Sequence, residues 1–158
     1  MLEELYQEII LDHYRRPRNK GKVDPADFQA REYNPLCGDE IEVTARFKDG
    51  KIAEVKFDGH GCSISQASAS IMTQKLVGKT VAEAEKVIDS FLKMMRGEAP
   101  FGGREMGALK ALEGDLKALE GVLKFPVRVK CATLAWNTAR NGIEQKHSQS
   151  EIRNPKES

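Results

Sequence analysis

Residues 40–57 read EIEVTARFKDGKIAEVKF, and this stretch decides the fold. Apolar and polar side chains alternate through residues 40–48, a period of two that is typical of a strand with one buried face. Asp49-Gly50 follows and forms the favoured two-residue turn of a β-hairpin, because both positions tolerate positive φ. Residues 51–57 alternate again, so the whole stretch predicts an antiparallel hairpin.

The hairpin is expected to form the centre of a small sheet. On its returning strand, we expect Ala53, Val55 and Phe57 to share the buried face, since alternate side chains point to the same side. Residues 31–33, just before Asn34-Pro35, predict a third strand. The pattern therefore indicates a three-stranded antiparallel sheet with one face buried.

Helical periodicity precedes and follows the sheet. Pro17 stops the first helix and Gly78 the second, while Thr80 and Glu83 form a capping box that opens the third. The order of one helix, a small sheet and then several helices predicts an α+β fold with the helices mainly on one face of the sheet. Helices are predicted over residues 2–16, 63–77, 81–95 and 127–145.

The length of 158 residues and a hydrophobic fraction of 40% suit a single domain with one core. The hexapeptide LKALEG occurs at residues 109–114 and again at 116–121, which is too few copies for a repeat protein. We interpret it as part of a short helical insertion with glycine breaks, over about residues 97–124. The expected organisation is one domain over residues 1–145 and a polar, disordered tail over residues 146–158.

Charge and composition exclude several classes of protein. Lys and Arg number 25 against 24 Asp and Glu, a net charge of +1 that argues against binding to nucleic acid. The apolar runs are too short to span a bilayer, and the N-terminal MLEEL lacks the features of a secretory signal. The odd count of three cysteines cannot form a closed disulfide framework. We expect a cytoplasmic protein with no nucleic-acid or membrane partner.

Each cysteine lies at the edge of a predicted element. Cys37 precedes the first long strand, Cys62 lies in a glycine-flanked turn that enters the second helix, and Cys131 lies near the start of the last helix. A helix N-terminus stabilises the thiolate, which is the form that binds metal or attacks sulfur. Asp39 projects to the same side as Cys37 if the segment is extended. Three thiolates and one carboxylate would complete a tetrahedral Zn²⁺ or iron site.

Spacing alone leaves a second interpretation of the cysteines open. Their separations resemble no zinc-finger pattern, and there is no Cys-x-x-Cys pair. Free cysteine is also among the most frequently buried residue types, so the three side chains would serve equally well as small hydrophobic residues of the core.

Three segments carry a resemblance to a known family. NPLCGD at residues 34–39, GHGCSISQASAS at 59–70 and RVKCATLAW at 128–136 resemble the signature segments of the NifU-N/IscU superfamily of iron–sulfur cluster assembly proteins. Within it the chain is more similar to the SufU branch. Lys130 stands where IscU-type proteins have histidine, and the long segment between the second and third cysteines resembles the insertion that marks SufU.

The resemblance implies that Cys37, Asp39, Cys62 and Cys131 are metal ligands and that the metal is zinc. It implies further that Cys37 accepts persulfide sulfur from a cysteine desulfurase, with Arg128 supporting the transfer. The alternative is a non-enzymatic scaffold, in which the three cysteines hold a transient [2Fe–2S] cluster and pass it to apo iron–sulfur proteins or other assembly factors. A third possibility is a structural zinc module, whose metal only closes the fold.

Other candidate residues have simpler interpretations. We expect His60, between two glycines, to be solvated and His13 to be a packing or surface residue. The serines of residues 63–70 have no suitable His–Asp partner, so we expect them to permit close helix packing. Trp136 is expected to lie in the core.

Overall fold

The computed structural model describes residues 2–98 and 113–157. The three strands form one antiparallel sheet in the order β1-β2-β3, and α2 and α5 pack against each other and against this sheet. This arrangement confirms the predicted α+β fold. The elements are α1 (Leu2–Arg15), β1 (Phe28–Asn34), β2 (Asp39–Lys48), β3 (Lys51–His60), α2 (Ser63–Leu76), α3 (Val81–Met95), α4 (Glu113–Glu120), a 3-10 helix (Gly121–Lys124) and α5 (Pro126–Glu157).

A β-bulge interrupts the pairing of β2 with β3. Arg46 pairs with Glu54, but the next residue, Phe47, pairs with Ile52, so Ala53 is left as the extra residue. Ile52 is consequently buried and Ala53 is exposed. The prediction that Ala53 faces the core is therefore wrong, because simple alternation does not reveal an inserted residue.

The second face of the sheet is also partly covered. Glu42 and Thr44, which point away from the core side chains of β2, are both buried. Thr44 Oγ1 accepts a hydrogen bond of 2.9 Å from the Val23 N–H, and Lys22 Nζ lies 3.3 Å from Glu42 Oε1. The segment between α1 and β1 thus lies over the middle of this face, so the expectation of a single buried face was incomplete.

Ser68 joins α2 to α5 in the core. Its hydroxyl donates to the Ala132 carbonyl at 2.5 Å and accepts from Trp136 Nε1 at 2.9 Å. Trp136 is fully buried and stacks on Phe91, with ring centroids 3.9 Å apart. These contacts confirm the core position predicted for Trp136 and, for Ser68, the predicted packing role.

A buried polar cluster joins α1, α2 and α4. His13 is 3% exposed; its Nδ1 lies 2.8 Å from Ser70 Oγ and its Nε2 lies 3.4 Å from Asp115 Oδ2. The contact with His13 holds the pKa of Asp115 below its usual value. Burial lowers the pKa of the neighbouring Lys75 to about 8, against the opposing charge of Asp115. Of the two roles expected for His13, packing or surface, the structure therefore supports packing.

Two boundaries near the C-terminus differ from expectation. Gly114, which was expected to break a helix, lies inside α4, and most of the first LKALEG copy lies outside the described residues. α5 continues through residues 146–157, where we expected a disordered tail. Among the described helices, including this one of 32 residues, none is both long and apolar enough to cross a membrane.

We expect Ser68→Ala to lower the free energy of unfolding by about 1–3 kcal/mol, because it leaves the buried Trp136 N–H without its acceptor. Urea titration followed by circular dichroism measures this change in backgrounds with and without the tryptophan. Ser68→Ala in a Trp136→Phe background provides the control, since that background has no indole N–H to leave unpaired. An equal loss in both backgrounds would show that the Ser68–Trp136 hydrogen bond does not stabilise the fold.

The depressed pKa of Asp115 predicts a pH dependence of stability. The ionised carboxylate stabilises the native state above the unfolded pKa of 3.8, and this contribution is lost as pH falls through the lower folded value. The destabilisation caused by Asp115→Asn is therefore largest near neutral pH and shrinks below about pH 4. Urea titrations of chelator-treated protein measure it, and Asp89→Asn, at an exposed position of α3, is the matched control. If the loss of unfolding free energy in Asp115→Asn does not change with pH, the depressed pKa of Asp115 is wrong.

Candidate metal centre

Cys37 lies in the tight turn that joins β1 to β2. Its backbone N–H donates to the Asn34 carbonyl at 3.3 Å, and Gly38 follows with φ +69°, a left-handed conformation that favours glycine. The thiol is partly exposed, and the preceding Leu36 side chain is 71% exposed. The turn therefore presents Cys37 at the surface.

Asp39 and Cys62 connect two turns at this end of the sheet. Cys62 is the N-cap residue of α2, and its backbone N–H donates to Asp39 Oδ1 at 2.9 Å. A Cβ atom on Gly61 would overlap Asp39 Oδ1 and would lie only 2.6 Å from Ser65 Oγ. This close approach requires glycine beside Cys62, so sterics as well as turn geometry explain the residue.

Cys131 contributes the third thiol from the N-terminal part of α5. The residue is fully buried, and its Sγ lies 3.0 Å from Cys37 Sγ. The docking of α5 on β1 and β2 holds it there. Gly142 permits this docking further along α5, because a Cβ atom at that position would overlap the Phe28 ring.

The structure brings three of the four predicted ligands into one group. The sulfurs of Cys37 and Cys131 and a carboxylate oxygen of Asp39 all lie within 4.8 Å of one another. Cys62 lies beside this group rather than within it, and its thiol interacts with that of Cys131. The complete set of four ligands remains a prediction.

The chemistry of these donors suits a divalent cation. Burial raises the pKa of the Cys131 thiol above its usual range, and the contacts with Cys37 and Asp39 raise it further. In the absence of a cation, negative charges crowded in a buried space repel one another. Zn²⁺ accepts both thiolate sulfur and carboxylate oxygen and offsets that repulsion, so the residues present fit a zinc site.

Arg128 lies close to all three cysteines. The charge of Cys62, then the contact with Cys131 and the charge of Cys37, raise the pKa of the Arg128 guanidinium above its usual value. Its side chain is exposed, as is that of Lys130 two residues later on α5. A permanent positive charge thus lies on the exposed side of the three thiols, at what we call the entrance to the thiol group.

Two further polar residues lie near this end of the sheet, His60, whose exposure was predicted, and Asn34, for which there was no prediction. His60 is 74% exposed and lies 3.5 Å from Glu40 Oε1, which confirms the predicted solvated histidine. Asn34 was not singled out, yet its Nδ2 lies 3.3 Å from Asp39 Oδ2 and 3.6 Å from Cys131 Sγ. Its position opposite Asp39, where two antiparallel strands are joined by a short turn, was the available signal.

Comparison with known proteins identifies the family. Residues 5–132 match the NifU-like N terminal domain. The chain belongs to the NifU-like N-terminal domain family. This places it among the iron–sulfur cluster assembly proteins of the SufU and IscU type and confirms the resemblance carried by the three cysteine segments.

Relatives of this NifU-like protein cover nearly the whole chain. The zinc-dependent sulfurtransferase SufU of Bacillus subtilis is 40% identical over 142 residues, 90% of this chain and 91% of the relative. The iron–sulfur cluster assembly scaffold protein IscU of Streptococcus pyogenes serotype M1 is 38% identical over 144 residues, 91% of this chain and 86% of the relative. A crystal structure from Fervidobacterium islandicum AW-1, assigned as an iron–sulfur cluster assembly scaffold protein for the SUF system, superimposes with a TM-score of 0.75 at 34% identity, covering 89% of this chain and 97% of that one.

The close approach at Gly61 predicts that Gly61→Ala weakens binding of added Zn²⁺ by about ten-fold or more, because the new methyl group displaces Asp39. Competition with a chromophoric chelator measures the affinity. Gly121→Ala is the matched control, since a Cβ atom there meets nothing within 4 Å. Equal zinc affinity in the two variants would mean that the position of Asp39 does not matter to the metal.

Proposed function

We propose that this NifU-like protein is a zinc-bound sulfur acceptor that takes persulfide sulfur from a cysteine desulfurase during iron–sulfur cluster assembly. The observation that carries the proposal is the placement of Cys37. It is a partly exposed thiol on a tight turn, with a buried second thiol 3.0 Å away and an arginine at the entrance. The name of the Bacillus subtilis relative, a zinc-dependent sulfurtransferase, supports the same role.

In this proposal, Cys37, Asp39, Cys62 and Cys131 hold the zinc ion. The bound ion would hold the cysteines as thiolates, the form that binds metal, and for Cys131 it would offset the burial that raises the pKa of that thiol. The geometric group of Cys37, Asp39 and Cys131 supports this ligand set, and the backbone link between Cys62 and Asp39 brings the fourth donor beside it.

Cys37 performs the transfer step. Its thiolate attacks the outer sulfur of the desulfurase persulfide; a new sulfur–sulfur bond forms on Cys37, and the persulfide bond of the donor breaks to leave the desulfurase thiolate. The exposed turn lets a donor reach this sulfur, whereas Cys131 is fully buried. The Arg128 guanidinium stabilises the negative charge on sulfur as the bond exchanges.

A scaffold role is the second candidate, and the name of the Streptococcus pyogenes relative favours it. Three cysteines and one carboxylate would also hold a transient [2Fe–2S] cluster, which the protein would pass to apo iron–sulfur proteins or other assembly factors. Lys130, which directly precedes Cys131, favours the sulfur acceptor over the scaffold, because IscU-type proteins have histidine at this position. We infer that either role operates in the cytoplasm.

Substitution of Cys37 tests the proposed function. We expect a desulfurase supplied with cysteine to add sulfur to the zinc-loaded protein, detected by mass spectrometry of alkylated peptides, and Cys37→Ser to abolish this addition. We expect Arg128→Ala to slow it by about ten-fold or more. Lys130→Ala is the matched control, since it removes one exposed positive charge nearby. Sulfur addition that survives in Cys37→Ser would overturn the assignment of the acceptor.

Metal analysis separates the proposed function from the alternatives. Protein isolated without oxygen is expected to contain about one zinc ion per chain and no acid-labile sulfide. Iron and sulfide in place of zinc would establish the scaffold role. For a purely structural metal, Asp39→Ala would lower stability and zinc content together. We expect instead a stably folded variant that still binds one zinc ion, with lower affinity, and that is impaired in sulfur transfer.

A further inference from the structure

Asn34 is the residue that connects the members of the thiol group. It is the last residue of β1, it is 4% exposed, and it pairs in register with Asp39 at the start of β2. Its carbonyl accepts from the Cys37 N–H at 3.3 Å, while its Nδ2 lies 3.3 Å from Asp39 Oδ2 and 3.6 Å from Cys131 Sγ. The main-chain carbonyl of Asn34 thus holds the backbone of Cys37, and its side-chain amide contacts the Asp39 carboxylate and the Cys131 thiol.

We propose that Asn34 is a positioning residue whose side-chain amide orients Asp39 and protects a persulfide on Cys37 from attack by Cys131. This inference rests on the proposed function, because it concerns the fate of sulfur that Cys37 has accepted. The amide is suited to both tasks. It has two N–H groups, one available for the carboxylate and one for the sulfur, and it brings no charge into a site that already holds several anions.

The orientation of Asp39 follows from its hydrogen bonds. Its Oδ1 accepts from the Cys62 N–H at 2.9 Å, and its Oδ2 accepts from Asn34 Nδ2. The two donors come from different elements, the start of α2 and the end of β1, so together they fix the plane of the carboxylate. Partners of this kind hold a metal-binding side chain in place, and their loss weakens metal binding by about ten- to a hundred-fold.

The protection of Cys37 follows from the short distance between the two sulfurs. With Cys131 Sγ at 3.0 Å from Cys37 Sγ, the Cys131 thiolate can attack the inner sulfur of a Cys37 persulfide. That reaction forms a Cys37–Cys131 disulfide, breaks the persulfide bond and releases hydrosulfide, so the transferred sulfur is lost without any external oxidant.

A hydrogen bond to the sulfur of Cys131 opposes this loss. An N–H donor stabilises the thiolate lone pairs and lowers their nucleophilicity, as hydrogen bonds to sulfur do in metal–thiolate sites. The contact from Asn34 Nδ2 reaches Cys131 Sγ. By contrast, the hydrogen bond of Asn34 to Cys37 involves the backbone N–H and leaves the thiol of that residue able to react. The two cysteines therefore differ in role although their sulfurs are adjacent.

The test compares Asn34→Ala and Asn34→Asp with the unmodified protein, and Asn141→Ala is the matched control. Asn141 also links β1 and α5 through its side-chain amide, donating to Glu32 Oε1 at 2.8 Å, but outside the thiol group. A persulfide is placed on the zinc-loaded proteins chemically, with inorganic polysulfide followed by gel filtration, so that no desulfurase is needed. Released hydrosulfide is measured against time, and the Cys37–Cys131 disulfide is measured by peptide mass spectrometry.

We expect both Asn34 variants to release hydrosulfide about ten-fold faster than the unmodified protein and to accumulate the disulfide, while Asn141→Ala behaves as the unmodified protein does. With Co²⁺ in place of zinc, we expect Asn34→Ala to move the thiolate-to-cobalt charge-transfer band to longer wavelength, because the sulfur loses a hydrogen-bond donor. Circular dichroism checks that each variant is folded. If the buried charge of Asn34→Asp prevents folding, Asn34→Ala decides the result.

Unchanged hydrosulfide release and an unchanged cobalt spectrum in folded Asn34→Ala would overturn the role of Asn34. The two proposals fail in different ways. Sulfur addition by a desulfurase to Cys37→Ser would overturn the proposed function, whereas the chemically loaded persulfide would still report on Asn34. Normal desulfurase-dependent sulfur addition together with unchanged hydrosulfide release in Asn34→Ala would leave the proposed function intact and remove Asn34 from it.

Discussion

The hydrogen bond from the Cys62 N–H to Asp39 Oδ1 connects the start of α2 to the start of β2, and the arrangement of the thiols depends on it. It holds together the two turns that carry Cys37 and Cys62. Gly61 makes the contact possible, since any side chain there would collide with the carboxylate. α5 then adds Cys131 by packing on the same sheet, so that helix, strand and turn meet at a single end of the fold.

Electrostatics set the second constraint on this site. Burial makes the thiolate of Cys131 costly, and the neighbouring thiol and carboxylate add to that cost. Arg128 supplies one positive charge from the exposed side. Asn34 adds neutral N–H donors from the buried side. The charged group thus lies on the exposed side of the site, and the uncharged group faces the interior.

Sequence patterns predicted the sheet and most of the helices because alternation and capping are local properties. They failed where a distant contact or an inserted residue decides burial. Ala53 is exposed because of a bulge opposite Arg46 and Phe47, and Thr44 is buried because the segment around Val23 lies over it. The cysteine segments indicated the site through their resemblance to a family, whereas Asn34 was missed because its contacts require both the β1–β2 register and the docking of α5.

The contact between Cys37 and Cys131 joins residues 94 positions apart in the chain. Such a pair meets only after the sheet has formed and α5 has docked, so the complete site exists in the native state and is dispersed in the unfolded chain. A cation that binds only the native arrangement stabilises it by about 2.7 kcal/mol when its free concentration is about a hundred times the dissociation constant. The supply of such a cation would therefore act on the folding equilibrium of the whole domain as well as on its chemistry.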